Sequence, residues 1–243
     1  MANWSDPRIG ASQPTTTVGR DVAYDAGLRA HMLSVYNYMT SGVLLSGIVA
    51  MLFARSGMAF DVLVNGGLLR WVIMLAPLGM VMWLSFGINR MSTATAQILF
   101  WVFATVMGLS LSTIFLLYDL PSIATTFFAT AAAFAGLSLW GYTTKKDLSA
   151  IGTFLVMGLF GLIVAMVINI FWQNTVFDLA ISAIGVLIFA GLTAWDTQKI
   201  KSMYFAVAGT EFHGKAKIMG ALTLYLDFIN MFLFLLRFMG NRN

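Results

Sequence analysis

The chain has 243 residues, of which 59% are hydrophobic and only 10% charged, with a formal net charge of +4 and a mean hydropathy of +0.84. A soluble domain carries about 25% charged residues, so a bilayer must supply much of this chain's solvent. An ordinary cytosolic fold, a secreted enzyme and a disordered protein are excluded, and nearly continuous apolar runs without period-two alternation argue against a transmembrane barrel.

Residues 1–30 are polar and irregular, with Pro7, Pro14, the Thr15-Thr16-Thr17 run, Arg20, Asp21 and Asp25. They lack the apolar core of a signal peptide and read as a solvated N-terminal tail on the cytoplasmic side. Residues 31–243 read as one all-α membrane domain of seven transmembrane helices. The expected spans are Tyr36–Ala54, Trp71–Ile88 with a kink at Pro77, Thr95–Leu117, Ser122–Tyr142, Ile151–Trp172, Val176–Trp195 and Ile218–Met239. Each approaches the ~20 residues that cross the hydrocarbon core at 1.5 Å per residue. The turn Leu117-Tyr118-Asp119-Leu120-Pro121 predicts a hairpin of spans three and four, and the longest internal connection is expected over Thr197–Lys217. Gly136 in span four, and Gly158, Gly161 and Ala165 in span five, are expected to permit close helix approach.

Lys and Arg set the orientation. With the N-terminus inside, Arg8, Arg20, Arg29, Arg90, Lys145, Lys146, Lys199, Lys201, Lys215 and Lys217 lie inside, against Arg55, Arg70, Arg237 and Arg242 outside. The positive-inside rule therefore favours an inside N-terminus and an outside C-terminus.

Little in the sequence supports enzyme chemistry. Cysteine is absent, which removes disulfides, thiol nucleophiles and thiolate metal sites, and there are only two histidines, His31 and His213. No Walker A loop, GxSxG elbow or basic stripe interleaved with aromatics is present, so neither a nucleotide nor a nucleic-acid partner is expected. Ser110 and Ser112 read as interhelical hydrogen-bonding groups, and Glu211 and His213 as a solvated loop pair. Asp119 reads as a turn residue, and Asp178 as a cap or interfacial residue after Asn174 and Thr175.

Carboxylates inside apolar spans are costly, about 2.5–3.5 kcal/mol at a helix centre, and mark candidate sites. Asp227 lies about nine residues into the expected last helix, roughly 13 Å from its start. Gly220, Thr223, Asn230 and Arg237 fall within about 80° of it around the helix axis. Such a stripe must face the bundle interior or a water-filled cavity. Asp196 ends span six; by spacing alone it reads equally as an interfacial residue neutralised by Lys199. The opposite directions of spans six and seven place Asp196 and Asp227 in the same half of the membrane, where Arg90 ends span two. Two carboxylates in contact would titrate as one coupled pair, able to respond to protons and to divalent cations. They would form a transient calcium stop, since a calcium cage takes 6–8 oxygens.

These motifs resemble the Bax inhibitor-1 family, in its bacterial branch. The segments carrying the likeness are Ala194-Trp195-Asp196-Thr197-Gln198-Lys199-Ile200-Lys201, Leu224-Tyr225-Leu226-Asp227-Phe228-Ile229-Asn230-Met231-Phe232, Gly141-Tyr142-Thr143-Thr144-Lys145-Lys146-Asp147-Leu148-Ser149 and Gly87-Ile88-Asn89-Arg90. The resemblance runs from about residue 30 to residue 239. It implies seven helices with the last surrounded by the other six, in a bacterial inner membrane. It also implies a pH-sensitive calcium leak, with Asp196 and Asp227 as the paired aspartates and Arg90 as an ion-pair latch. No cofactor is implied. One departure is that Pro77-Leu78-Gly79 stands where some relatives place an acidic residue in the second helix, so an ion path using that carboxylate lacks a ligand here. The family's second association, with stress survival and membrane-protein quality control, implies a non-conducting regulator. Its partner would be a membrane protease or another membrane protein, docked on the N-terminal tail and the Thr197–Lys217 connection.

Overall fold

A long apolar segment in lipid must satisfy its own backbone, and the helix is the single-segment solution. The computed structural model describes the backbone of residues 15–241 and the side chains of residues 26–241. Its helices are α1 (Thr15–Arg55), α2 (Met58–Leu63), α3 (Leu68–Gly87), α4 (Thr93–Leu111), α5 (Ile114–Leu117), α6 (Leu120–Thr143), α7 (Ser149–Trp172), α8 (Thr175–Val207) and α9 (Phe212–Met239). Ile88–Arg90 adds a 3₁₀ turn after α3, and no strand occurs among the described residues. Among the described residues seven helical stretches are long and apolar enough to cross a membrane. Seven crossings would put the start of α1 and the end of α9 on opposite sides, and the side on which α1 starts is the N-face.

Polar caps start several spans where the sequence turns from loop to apolar run. Ser92 Oγ accepts from Thr95 N at 3.1 Å, Asp119 Oδ1 from Ser122 N at 2.9 Å, and Asn174 Oδ1 from Phe177 N at 2.9 Å. Each satisfies one orphan donor of a first turn. Asp119 is thus the turn residue it was expected to be.

α9 is the most buried span, with 67% of its apolar window inside the protein against at most 33% in any other. It packs on α8, α1, α6 and α4, whereas α3 packs chiefly on α4 and α7 on α8. Tyr225, fully buried on α9, joins three helices: its hydroxyl is 2.6 Å from Ser46 Oγ on α1, which also reaches the Ala104 carbonyl on α4 at 2.7 Å.

Four expectations are corrected. α1 begins at Thr15, so the second half of the expected tail is helical; residues 1–14 lie outside the described residues. The Thr197–Lys217 connection shrinks to residues 208–211, because Ile200 and Tyr204 extend the buried stripe of α8 to Val207. The hairpin of spans three and four is not a packed one, since α6 lies against α8 and α9. Of the three expected glycines only Gly158 meets another helix, an added Cβ lying 3.4 Å from Ile188 of α8, and the closest approaches fall at other glycines. A Cβ on Gly136 or Gly161 would meet nothing within 4 Å, while one on Gly141 would run into the Ala194 backbone and one on Gly185 would sit 2.6 Å from the Phe234 ring.

Candidate functional site

Asp196 arrives on α8 and Asp227 on α9, the most extensively packed helix pair. Both are buried, at 6% and 5% exposure, and their carboxyl groups lie close enough to interact electrostatically. One oxygen of Asp227, Oδ2, is buried with no hydrogen-bond partner. A cavity of about 520 Å³ opens beside the pair, and Asp196, Lys199, Thr223, Asp227 and Asn230 bring polar groups to a wall that is otherwise apolar. Since α9 starts at Phe212, Asp227 is fifteen rises, about 22 Å, into its helix. That is deeper than the sequence suggested, and it leaves Asp227 near the middle of α9.

The polar stripe predicted on the last helix is present, but its members act separately. Thr223 Oγ1 donates to the Met219 carbonyl at 3.0 Å and Asn230 Nδ2 to the Leu226 carbonyl at 2.8 Å, both within α9. They line the cavity without bonding to Asp227. At the far end, Arg237 pairs at 3.5 Å with Asp178, whose Oδ1 also accepts from Asn169 at 3.2 Å. Asp178, expected as a cap or interfacial residue, therefore links α7, α8 and α9, while Asn174 provides the cap.

Arg90 does not join the aspartates in this conformation. It is exposed in the 3₁₀ turn after α3 and forms no ion pair with either carboxylate among the described residues. The cation acting on the pair is Lys199, one turn beyond Asp196, whose Nζ also lies 4.9 Å from the centroid of the Trp195 ring. The i, i+3 spacing of Asp196 and Lys199 signals that contact. The pair and its neighbours do not form a metal cage, for no group of three or more Asp, Glu or His side chains converges among the described residues.

A second polar cluster was not legible. His31 Nδ1 and His213 Nε2 are 3.1 Å apart, so one ring donates to the other, and both rings contact Tyr204. This joins α1, α8 and α9 at the N-face. His213 is therefore not half of a solvated loop pair with Glu211, and it lies in the first turn of α9. Ser112 likewise bonds within its own chain turn, to the Leu109 carbonyl at 2.7 Å, rather than across helices.

Seven apolar helices among the described residues, two of them burying a carboxylate pair between them, define a multi-pass helical membrane protein. The chain belongs to the Bax inhibitor-1 family: the family model described as "Inhibitor of apoptosis-promoting Bax1" matches residues 28–243. It is 46% identical over 234 residues to the Rickettsia prowazekii protein RP147, covering 96% of this chain and 99% of that one. It is 43% identical over 219 residues to inner membrane protein YbhL of Escherichia coli K12, covering 89% and 94%. A Lactococcus lactis protein, YrjE, is 42% identical over 217 residues, covering 88% and 92%. The family is not a known enzyme family.

Proposed function

We propose that this protein is a pH-regulated, calcium-permeable leak channel of the bacterial inner membrane, with its N-terminus cytoplasmic. The observation that carries the reading is the contact between Asp196 and Asp227 beside a cavity, with a buried carboxylate oxygen of Asp227 unpartnered. With one proton between them, the carboxyl groups share a hydrogen bond and clamp α8 to α9. Loss of that proton leaves two like charges in contact, which repel and which attract a divalent cation. Two carboxylates supply too few oxygens to hold calcium firmly, so the ion pauses and passes. Lys199 counterbalances the second charge. The latch role of Arg90 belongs to another arrangement of α3, a helix held chiefly by α4. The test is calcium entry into dye-loaded liposomes containing the purified protein, from about pH 5 to pH 8. Flux above that of empty liposomes, varying with pH, is expected; flux equal to that of empty liposomes with folded protein present rejects conduction.

One observation favours the alternative, a non-conducting regulator of stress response and membrane-protein quality control. The 33 residues of α8 span about 50 Å, well beyond a ~30 Å hydrocarbon core. The N-face ends of α8 and α9 therefore project from the membrane, where they would present a docking surface to a membrane protease or another membrane protein.

A further inference from the structure

α1 and α6 both pack on α9, yet they do not pack closely on each other. The gap between them is a cleft of about 640 Å³, walled by Met32, Tyr36 and Met39 of α1 and by Phe134 and Ala135 of α6, with Phe228 of α9 as its floor. Exposed Leu33, Leu44 and Leu139 form its rim, so it opens sideways into the bilayer. From Arg29 to Leu44 it follows fifteen rises of α1, about 22 Å, more than the ~15 Å hydrocarbon depth of one leaflet. A second cavity of about 280 Å³ shares Val43, Phe127 and Phe228 with it and continues toward the other face.

The N-face mouth of the cleft is cationic. Arg29 and Tyr142 line it, and Lys201 stands over Tyr142, its Nζ donating to the Tyr142 carbonyl at 2.7 Å and lying 4.9 Å from the ring centroid. Among the described residues no Asp or Glu lines the cleft. An apolar slot longer than a leaflet, with two cations at the level of the headgroups, matches an acyl chain joined to an anionic phosphate. We propose that this cleft binds one anionic phospholipid from the N-face leaflet, its acyl chain against Phe228 and its phosphate held beside Arg29 and Lys201. A headgroup with no net charge satisfies the slot but not the mouth. The cleft is separate from the aspartate site, sharing no lining residue with the cavity at Asp196 and Asp227.

Native mass spectrometry of the purified full-length protein, mixed with equal amounts of phosphatidylglycerol and phosphatidylcholine of identical chains, tests the site. The wild type is expected to retain one phosphatidylglycerol in at least about fivefold preference, roughly the effect of one charge near the surface. Ala135→Phe fills the slot and should abolish retention, whereas Ala132→Phe, exposed on the same helix and absent from the lining, should not. Arg29→Gln combined with Lys201→Gln should remove the preference while leaving a lipid bound. Circular dichroism confirms that each variant is folded. Equal retention of both lipids by the wild type, or undiminished retention by folded Ala135→Phe, overturns the proposal.

Discussion

Gly141 and Gly136 lie five residues apart on α6, and alanine at each should move stability in opposite directions. A Cβ on Gly141 would come within 2.9 Å of both Cα and the carbonyl carbon of Ala194, and closer still to its oxygen. Ordinary carbon contacts are ~3.5–4.0 Å, so α6 and α8 must part by about 1 Å. The obstacle is backbone, which cannot rotate away. The same interface holds the Thr197–Ser138 hydrogen bond, at 3.4 Å, and the Lys201–Tyr142 bond, so a shift strains both. Overpacking of this kind costs about 1–3 kcal/mol. At about 2–4 °C per kcal/mol for a chain of this size, Gly141→Ala should lower the melting temperature by roughly 2–12 °C. At Gly136 the added methyl meets nothing, and replacing a helical glycine gains up to about 1 kcal/mol. Thermal unfolding followed by tryptophan fluorescence in detergent measures both variants. Equal melting temperatures for the two would refute the close packing of α6 on α8.

Three further outcomes are expected. Tyr225→Phe should cost about 1 kcal/mol and Ser46→Ala more, about 1–3 kcal/mol, because only the second strands a buried hydroxyl; in melting experiments the double variant should lose less than the sum. Hydrogen bonds from Ser122 hold Asp119 below the usual carboxylate range, so its cap contributes stability above about pH 4 that is lost as pH falls through the folded value. Asp119→Asn, which keeps the acceptor, should show a weaker fall in melting temperature on acidification; an unchanged acid profile would remove Asp119 from the account. Because the chain has no cysteine, single Cys probes report topology without background: Ser56→Cys should label in intact cells and Thr144→Cys only after permeabilisation, and the reverse pattern would invert the orientation.

The number and order of the spans were legible because apolar length alone decides them in lipid. Helix ends were not. The last turns of α8 and the first of α9 are rich in lysine and look like loop, yet Ile200, Tyr204 and Ala216 keep a buried stripe running through them. The Asp196–Asp227 contact was legible because a polar stripe on the last helix and the opposite directions of neighbouring spans are both sequence properties. The position of Arg90 was not, since it depends on how α3 leans on α4 and not on the end at which α3 stops. The His31–His213 contact spans 182 residues of chain, and neither histidine carries a local signal of the other. Gly136 and Gly161 misled because small residues permit close approach without saying which face of a helix has a neighbour.

Calcium flux through reconstituted Asp227→Asn and Asp196→Asn variants tests the central claim most directly. Asparagine keeps the size and most of the hydrogen bonding but removes the titrating charge. Each variant should remain folded and should flatten the pH dependence of flux. The double variant should add little to either single one, because the carboxyl groups form one coupled site. Arg90→Ala, measured alongside, should instead raise basal flux and displace the midpoint. If both asparagine variants keep the wild-type pH profile, the two aspartates are structural polar groups and the gating account is contradicted.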